Sequence, residues 1–444
     1  MTASGTTRDD SRRISVLLGL LFGLAGLGSA SAAIAVPLVA GEFGVSVGEG
    51  TWMISLYVLM LGVGTAIYGR VSDLVGPRIP FLVGIVLMTV GAVGASVAPT
   101  FAALLLFRTL QGAGVAAIPV LGVAVITARY DGDIRGLAFG RLAAMAAFVT
   151  CLGPLAGGLF ELVAGWRGVM VLPVLGLAVV PFIWRALVGE GSRARLDVLG
   201  AVLVAVTAAG LILLIQSPSS GLVVALVGIV LLVLGAPSVA SRVRRRPHGF
   251  LPRSVIGNGT VVRSAMAAAA IPAAWFAQLV AVPAILVGHG WQPYQVGLLL
   301  VPSAVIALFV PRLTGGLLSG FGPTSSLAVA GATATLALLI AALGVALVAP
   351  GLLLVAVSLV TVSFGIGQPA LSAAVGEAVH LDVRGVALGV ATLVFLTGGS
   401  VGSAVVGGLG DVIGIAESLA LLALLPVLGL VTLIPELRRS PEPV

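Results

Sequence analysis

Apolar residues along this chain come in long unbroken runs, not in alternation. Short polar segments separate the runs, and fourteen runs are long enough to matter. They lie near residues 15–37, 52–71, 80–98, 102–127, 138–160, 167–188, 198–216, 221–238, 262–287, 295–318, 326–348, 351–375, 384–407 and 415–435. A helix needs about 20 apolar residues to cross a bilayer. In lipid a backbone must satisfy its own hydrogen bonds, which an unbroken helix does. The pattern therefore predicts an all-α integral membrane protein with about fourteen transmembrane helices. The first run is too long for a signal-peptide core and lacks a cleavage site, so it reads as a crossing that follows a polar, basic tail over 1–13.

Composition narrows the class further. The chain of 444 residues is 59% hydrophobic and 9% charged, whereas soluble domains carry roughly 25% charged residues. The net charge of +7 comes from arginine alone, with no lysine. These arginines flank the apolar runs, where they set orientation, so they do not form a nucleic-acid surface. Odd-numbered loops hold only Arg167, while even-numbered loops and both termini hold most of the rest, including Arg242, Arg244, Arg245 and Arg246. The positive-inside rule then puts both termini in the cytoplasm of a bacterial inner membrane. The single cysteine, Cys151, excludes an internal disulfide framework.

The chain also repeats itself. Asp133-Ile-Arg135-Gly136-Leu-Ala138-Phe-Gly140 returns 249 residues later as Asp382-Val-Arg384-Gly385-Val-Ala387-Leu-Gly389. A second pair, Gly69-x-x-x-Asp73-x-x-Gly76-Pro77 and Gly315-x-x-x-Ser319-x-x-Gly322-Pro323, is offset by 246. Two six-helix halves with two helices inserted between them account for both offsets, a plan common among transporters. The expected organisation is a tail over 1–13, a six-helix bundle over 14–190, an inserted pair over 191–240, a basic loop over 241–261, a second bundle over 262–436 and a tail over 437–444.

At these residues the sequence resembles the major facilitator superfamily. Gly69-Arg-Val-Ser-Asp73-Leu-Val-Gly76-Pro-Arg78 matches its loop between the second and third helices. Arg108-Thr-Leu-Gln111-Gly112-Ala-Gly114 matches its fourth-helix pattern, and Gly153-Pro154-Leu-Ala-Gly157-Gly158 the fifth-helix motif associated with antiporters. Gly165-Trp166-Arg167 before the sixth run also fits, and the fourteen-helix count resembles the drug:proton antiporter branch. Where that branch carries an aspartate in its first helix, this chain has Gly28, and the glycine that usually opens the fifth-helix motif is Val149. The resemblance implies alternating access, with a midplane cavity between the halves and export coupled to protons.

Candidate site residues follow from chemistry and from that resemblance. Arg108 lies inside an apolar run, and an intramembrane arginine is costly unless it faces protein or a water-filled cavity. With Gln111 it is the candidate polar contact for substrate. Trp52, Tyr57, Trp275, Phe276, Gln278, Phe364, Gln368 and Phe395 are the candidate cavity lining, since ligand sites are apolar walls with a few polar groups. Gly69, Asp73, Gly76, Arg70, Arg78 and Arg135 form the expected inner gate, in which Asp73 pairs with the arginines. Glu161 and Asp411, each beside a glycine-rich helix end, are the candidate proton carriers.

Enzyme readings fail. Gly398-Gly-Ser400-Val-Gly402 has the nucleophile-elbow spacing but falls in mid-helix, where that chemistry does not present its serine. His248, His289 and His380 lie in separate loops without metal-ligand spacing, so no metal or other cofactor is expected. The function read from the sequence is a monomeric secondary transporter whose partners are a small-molecule substrate, the bilayer and protons. A uniporter or exchanger of organic anions is the alternative that the missing first-helix acid suggests. A non-transporting sensor or scaffold would need a soluble domain, and the longest loop is too short to fold alone.

Overall fold

Small residues decide how the helices of this chain meet. Lipid tails are as apolar as leucine, so helices in a bilayer associate by close packing, and glycine and alanine let backbones approach. In the computed structural model, which describes residues 3–187, 197–247 and 249–438 (without the side chains of 3–8, 73, 74, 132, 133, 381 and 382), twelve helices are long and apolar enough to cross a membrane. They are α1 (Asp9–Phe43), α2 (Val47–Ser72), α3 (Arg78–Ser96), α4 (Phe101–Arg129), α5 (Ile134–Ala186), α6 (Val198–Ser220), α7 (Leu222–Arg245), α8 (Gly259–Gly288), α9 (Pro293–Ala346), α10 (Pro350–Ala378), α11 (Val383–Ile413) and α12 (Ile415–Leu437). His248 lies outside the described residues.

Two of these helices are far longer than the rest, α5 with 53 residues and α9 with 54. Each covers two of the fourteen runs, and each is broken by a glycine in a non-helical conformation. Gly165 has φ 61° and ψ −174°, and Gly322 has φ 78° and ψ 172°. A positive φ is open to glycine at little cost and strained for other residues. Gly76, which ends α2 before Pro77, has φ 79° and ψ 168°. The Gly-Pro pairs of the second sequence repeat therefore share one backbone geometry. The first repeat agrees as well. Arg135 donates from Nε to the Tyr130 carbonyl at 2.6 Å, and Arg384 donates from Nε to the Gly376 carbonyl at 2.8 Å. Each arginine satisfies a carbonyl at the end of the preceding helix, where a cation is favoured.

The helices join along glycine seams. A side chain at Gly398 or Gly402 of α11 would run into the backbone of Ala269 or Ala273 of α8, so the serine motif of the sequence is a packing face. Gly84 and Gly114 let α3 and α4 touch, and Gly210 faces Gly228 between α6 and α7. The amino-terminal helices meet the carboxy-terminal ones along α2–α11 and α5–α9, while α6 packs against α11 and α2. Helix α7 leans mainly on α6 and exposes Leu222, Val223, Val233 and Leu234 on its outer face.

Ion pairs tie the helix ends. Asp197 caps α6 by accepting from the Gly200 amide at 3.1 Å and receives Arg242 Nη2 of α7 at 2.6 Å. Hydrogen bonding from Arg242, chiefly, holds the Asp197 carboxyl below its ordinary value. Glu436 of α12 pairs with Arg263 of α8.

Two predictions follow from this packing. Gly402→Val forces α11 away from the Ala273 carbonyl and should cost about 1–3 kcal/mol or more, read as a lower melting temperature in detergent. Gly315→Ala, with open space around it, should leave melting unchanged. For Asp197 the lowered pKa means stability that is full above 3.8 and lost as pH falls through the folded value. The melting loss in Asp197→Asn should therefore be constant between about pH 5 and pH 8 and shrink in stronger acid.

Candidate substrate site

Arg108 sits on α4 with no exposed surface. One turn later Gly112 has no side chain, and a Cβ there would strike the Tyr57 backbone. The two helices thus touch, and Arg108 comes to lie over the Tyr57 ring with Cζ 4.4 Å from its centroid. Its Nε donates to the Met53 carbonyl at 3.1 Å and its Nη1 to Gln111 Oε1 at 2.5 Å. Tyr57 in turn donates to the Ala25 carbonyl of α1 at 3.1 Å. Two donors of the group remain unused: Arg108 Nη2 and Gln111 Nε2 are buried without a partner. None of the five ion pairs among the described residues involves Arg108.

The position of the missing first-helix acid adjoins this group. A Cβ on Gly28 would stand 2.9 Å from Pro173 Cγ, 3.2 Å from Tyr57 Oη and 3.4 Å from Gln111 Nε2. Tyr57 is followed by Val58, which with Phe276 of α8 packs around Gly399 of α11. The cluster is therefore one residue away from the seam between the two sets of helices.

Between α1 and α5 on one side and α8, α9 and α10 on the other lies a cavity of about 20 Å³, room for a water molecule. Ala30 of α1, with Thr150, Cys151 and Pro154 of α5, faces Trp275 and Gln278 of α8 and Ser303 of α9 across it. Gln278 is buried with neither its Oε1 nor its Nε2 paired. Of the expected aromatics Trp275 borders this cavity. It meets Phe364 of α10 at a tilt, centroids 5.6 Å apart, and Phe364 meets Phe395 of α11 at 5.5 Å. The row of three rings continues away from the lining, with Phe276 beside Gly399. Gln368 is half-buried on α10 and lies apart from the cavity lining. Trp52 departs from the expectation and turns toward α6, its Nε1 donating to Ser220 Oγ at 2.8 Å. The reason is the position of α6 against α2, which no pattern within α2 could reveal.

The glycines around Pro154 mark the other seam. Gly153 and Gly157 pack on Ala30 and Ser31 of α1, and Gly158 on Pro293 and Tyr294 of α9. Pro154 opens a new helical segment after the break at Leu152. One short motif therefore touches both sets of helices.

Each of the expected gate arginines reaches a backbone carbonyl. Arg70 Nη2 donates to the Gly249 carbonyl at 3.0 Å. Arg78 Nε donates to the Leu187 carbonyl at 2.8 Å, with its guanidinium 5.9 Å from the Trp184 ring centroid. Arg135 binds the Tyr130 carbonyl and pairs with Asp131. Backbone carbonyls accept arginine N–H donors as carboxylates do, though more weakly. The Asp73 side chain lies outside the described residues. Gly69 has open space beside it, and Gly76 makes the turn described above. Of the proton-carrier candidates, Glu161 is half-buried in α5 and Asp411 is exposed.

A junction that sequence reading missed lies at the end of the helices away from the amino terminus. Asp411 of α11 accepts from Ser46 Oγ at 2.7 Å, and Ser55 meets Ser403 at 2.9 Å. Gln216 of α6, with no exposed surface, donates to Thr51 Oγ1 at 2.7 Å and to the Gly48 carbonyl at 3.3 Å. Gly408 of α11 packs on the backbone of Ile215 and Gln216. Its signal was present as a lone glutamine at the end of an apolar run.

Comparison with known proteins decides the family. The family model described as Major Facilitator Superfamily matches residues 18–403. The chain belongs to the Major Facilitator Superfamily. It is 34% identical over 188 residues to YwoD, an MFS-type transporter of Bacillus subtilis (strain 168), covering 40% of this chain and 41% of that protein. It is 26% identical over 331 residues to YhcA of the same strain, covering 72% and 62%. It is 28% identical over 301 residues to multidrug resistance protein Stp of Mycobacterium tuberculosis (strain CDC 1551 / Oshkosh), covering 65% and 55%. The chain therefore spans less than two thirds of the length of these relatives. A POT family transporter in complex with 5-aminolevulinic acid shares the fold, with a TM-score of 0.72 at 13% identity over 96% of both chains.

Gln216→Leu tests the junction. It removes the bonds of Gln216 to Thr51 Oγ1 and the Gly48 carbonyl, which stay bonded to each other, and should cost about 0.5–1.5 kcal/mol. Thermal unfolding against the exposed-helix control Leu234→Ala checks it.

Proposed function

We propose that this member of the superfamily exports small amphipathic compounds from the cytoplasm by alternating access, in exchange for protons. The observations that carry the reading are a buried arginine cluster with unmet donors and a small, mostly apolar cavity between the amino-terminal helices α1 and α5 and the carboxy-terminal helices α8, α9 and α10. A cavity of about 20 Å³ is far below the roughly 300 Å³ of a small-molecule site. The halves must part before a substrate enters, which suits a site that is closed in one state and open in another.

In this proposal α5 and α9 each cross the membrane twice. A helix of 54 residues is about 80 Å long, against a hydrocarbon core of about 30 Å. Gly165 and Gly322 supply the turns, and fourteen crossings result. The six-helix halves then run over 14–190 and 262–436, with the inserted pair within 191–240. The arginines beside Leu222–Arg245 and at both ends of the chain face the cytoplasm of a bacterial inner membrane. The contacts of Ser46, Thr51, Gln216 and Asp411 close the outer side, and the loop around Asp73 serves the inner side. The printed name of Stp favours export of drug-like compounds. With Gly28 in the first helix, Asp411 and Glu161 are the carboxylates assigned to the proton.

Accumulation of two amphipathic dyes, ethidium and carboxyfluorescein, in cells making the protein tests export. Lower accumulation of either dye than in empty-vector cells, lost when the pH gradient is collapsed, is the expected result. Equal accumulation of both would remove the proposal. Asp411→Asn should weaken the gradient dependence at least severalfold if that carboxylate carries the proton.

A further inference from the structure

Resting on the export reading, we infer that the Arg108 cluster is a subsite for the anionic group of the substrate, a carboxylate in the first instance. Arg108 and Gln111 offer unspent donors, while Tyr57 Oη, its hydrogen given to the Ala25 carbonyl, keeps only lone pairs. Arg108 has only donor atoms, and Gln111 already spends its Oε1 on Arg108 Nη1. What remains open is Arg108 Nη2 and Gln111 Nε2, both buried and unpartnered. A buried donor left unmet is costly, and a buried cation without a counter-charge more so. The other arginines of the structure show the contrast. Arg242 has Asp197, Arg263 has Glu436 and Arg167 has Glu42.

Gly28 explains how the counter-charge could come from outside. It leaves a notch bordered by Gln111 Nε2, Tyr57 Oη and Pro173, into which one added carbon would fit only tightly. A carboxylate side chain at this position would stand beside Gln111 and hold the cluster permanently. Glycine leaves Gln111 Nε2 unpaired, and an entering oxygen requires Pro173 or the Tyr57 ring to give way, since one carbon already crowds them. An acceptor oxygen in the notch would meet Gln111 Nε2, and the charge of Arg108 would select an anion over a neutral acceptor. Tyr57 and Val58 separate the notch from the seam at Phe276 and Gly399, so the rest of an amphipathic substrate would lie along the aromatic row of Trp275, Phe364 and Phe395.

The test uses three probes of one shape in the purified full-length protein in detergent: 1-naphthoate, 1-naphthamide and 1-naphthylmethylammonium, with tryptophan fluorescence as the binding signal. Naphthoate should bind at least about tenfold tighter than the amide, the scale of one charge-assisted hydrogen bond, and the ammonium weakest. Arg108→Gln should abolish the preference for naphthoate. Gly28→Asp should abolish it too, whereas Gly28→Ala, which fills the notch without charge, should weaken all three probes and keep their order. Equal or tighter binding of the amide or the ammonium overturns the inference. So does a naphthoate preference that survives Arg108→Gln, and so does failure of all three probes to bind. If Arg108→Gln does not fold, the wild-type order and the Gly28→Asp and Gly28→Ala pair decide. Flux of the same probes in proteoliposomes separates the two readings. Flux of the ammonium without naphthoate preference keeps export and overturns the subsite, and naphthoate binding without any flux does the reverse.

Discussion

Close approach of helix backbones is the constraint on which this structure depends. Without water to drive apolar faces together, the helices are held by contact itself, and contact at short range needs glycine or alanine. The pairing of Gly398 and Gly402 with Ala269 and Ala273 fixes α11 on α8. The same rule builds the candidate site. Gly112 lets α4 reach the backbone of α2 at Tyr57, and the guanidinium one turn away is thereby laid over the tyrosine ring. Packing and chemistry are one arrangement here, since a bulkier residue at 112 would push Arg108 off the ring.

The polar groups inside the bundle fall into two kinds. Some are settled locally: Ser and Thr hydroxyls return to a carbonyl one turn back, as Thr65 does to Leu61 at 2.6 Å, and helix-end arginines meet carboxylates or carbonyls. Others are left open. Arg108, Gln111 and Gln278 retain buried atoms with no partner, in a medium where such groups are expensive. They gather around the seam where the two sets of helices meet. An expense concentrated at a movable interface is what a binding site requires, because a ligand that supplies the missing partners recovers it.

The pair α6 and α7 takes part in that interface. Helix α7 exposes an apolar outer face, but α6 sends Gln216 into the junction of α2 and α11 and receives Trp52 on Ser220. The pair is thus joined to both sets of helices at one end, and at the other Asp197 and Arg242 clamp its two members together. Any parting of α2 from α11 must break or carry along the Gln216 contacts.

The sequence alone determined which stretches are helices, because runs of about 20 apolar residues have one stable form in lipid. It also located both internal breaks and both repeats, since Gly165, Gly322 and the Gly-Pro pairs are local backbone requirements. It joined Arg108 to Gln111, because residues three apart share a helix face. Tertiary structure decided the rest. Trp275, Phe364 and Phe395 come from three helices, and only packing could show that they meet in a row while Trp52 turns away. Arg70, Arg78 and Arg135 each reach a backbone carbonyl of a different segment, and only the fold shows which acceptor lies within reach of each. Helical periodicity defines the faces of one helix, but the pairing of faces is a property of the whole bundle.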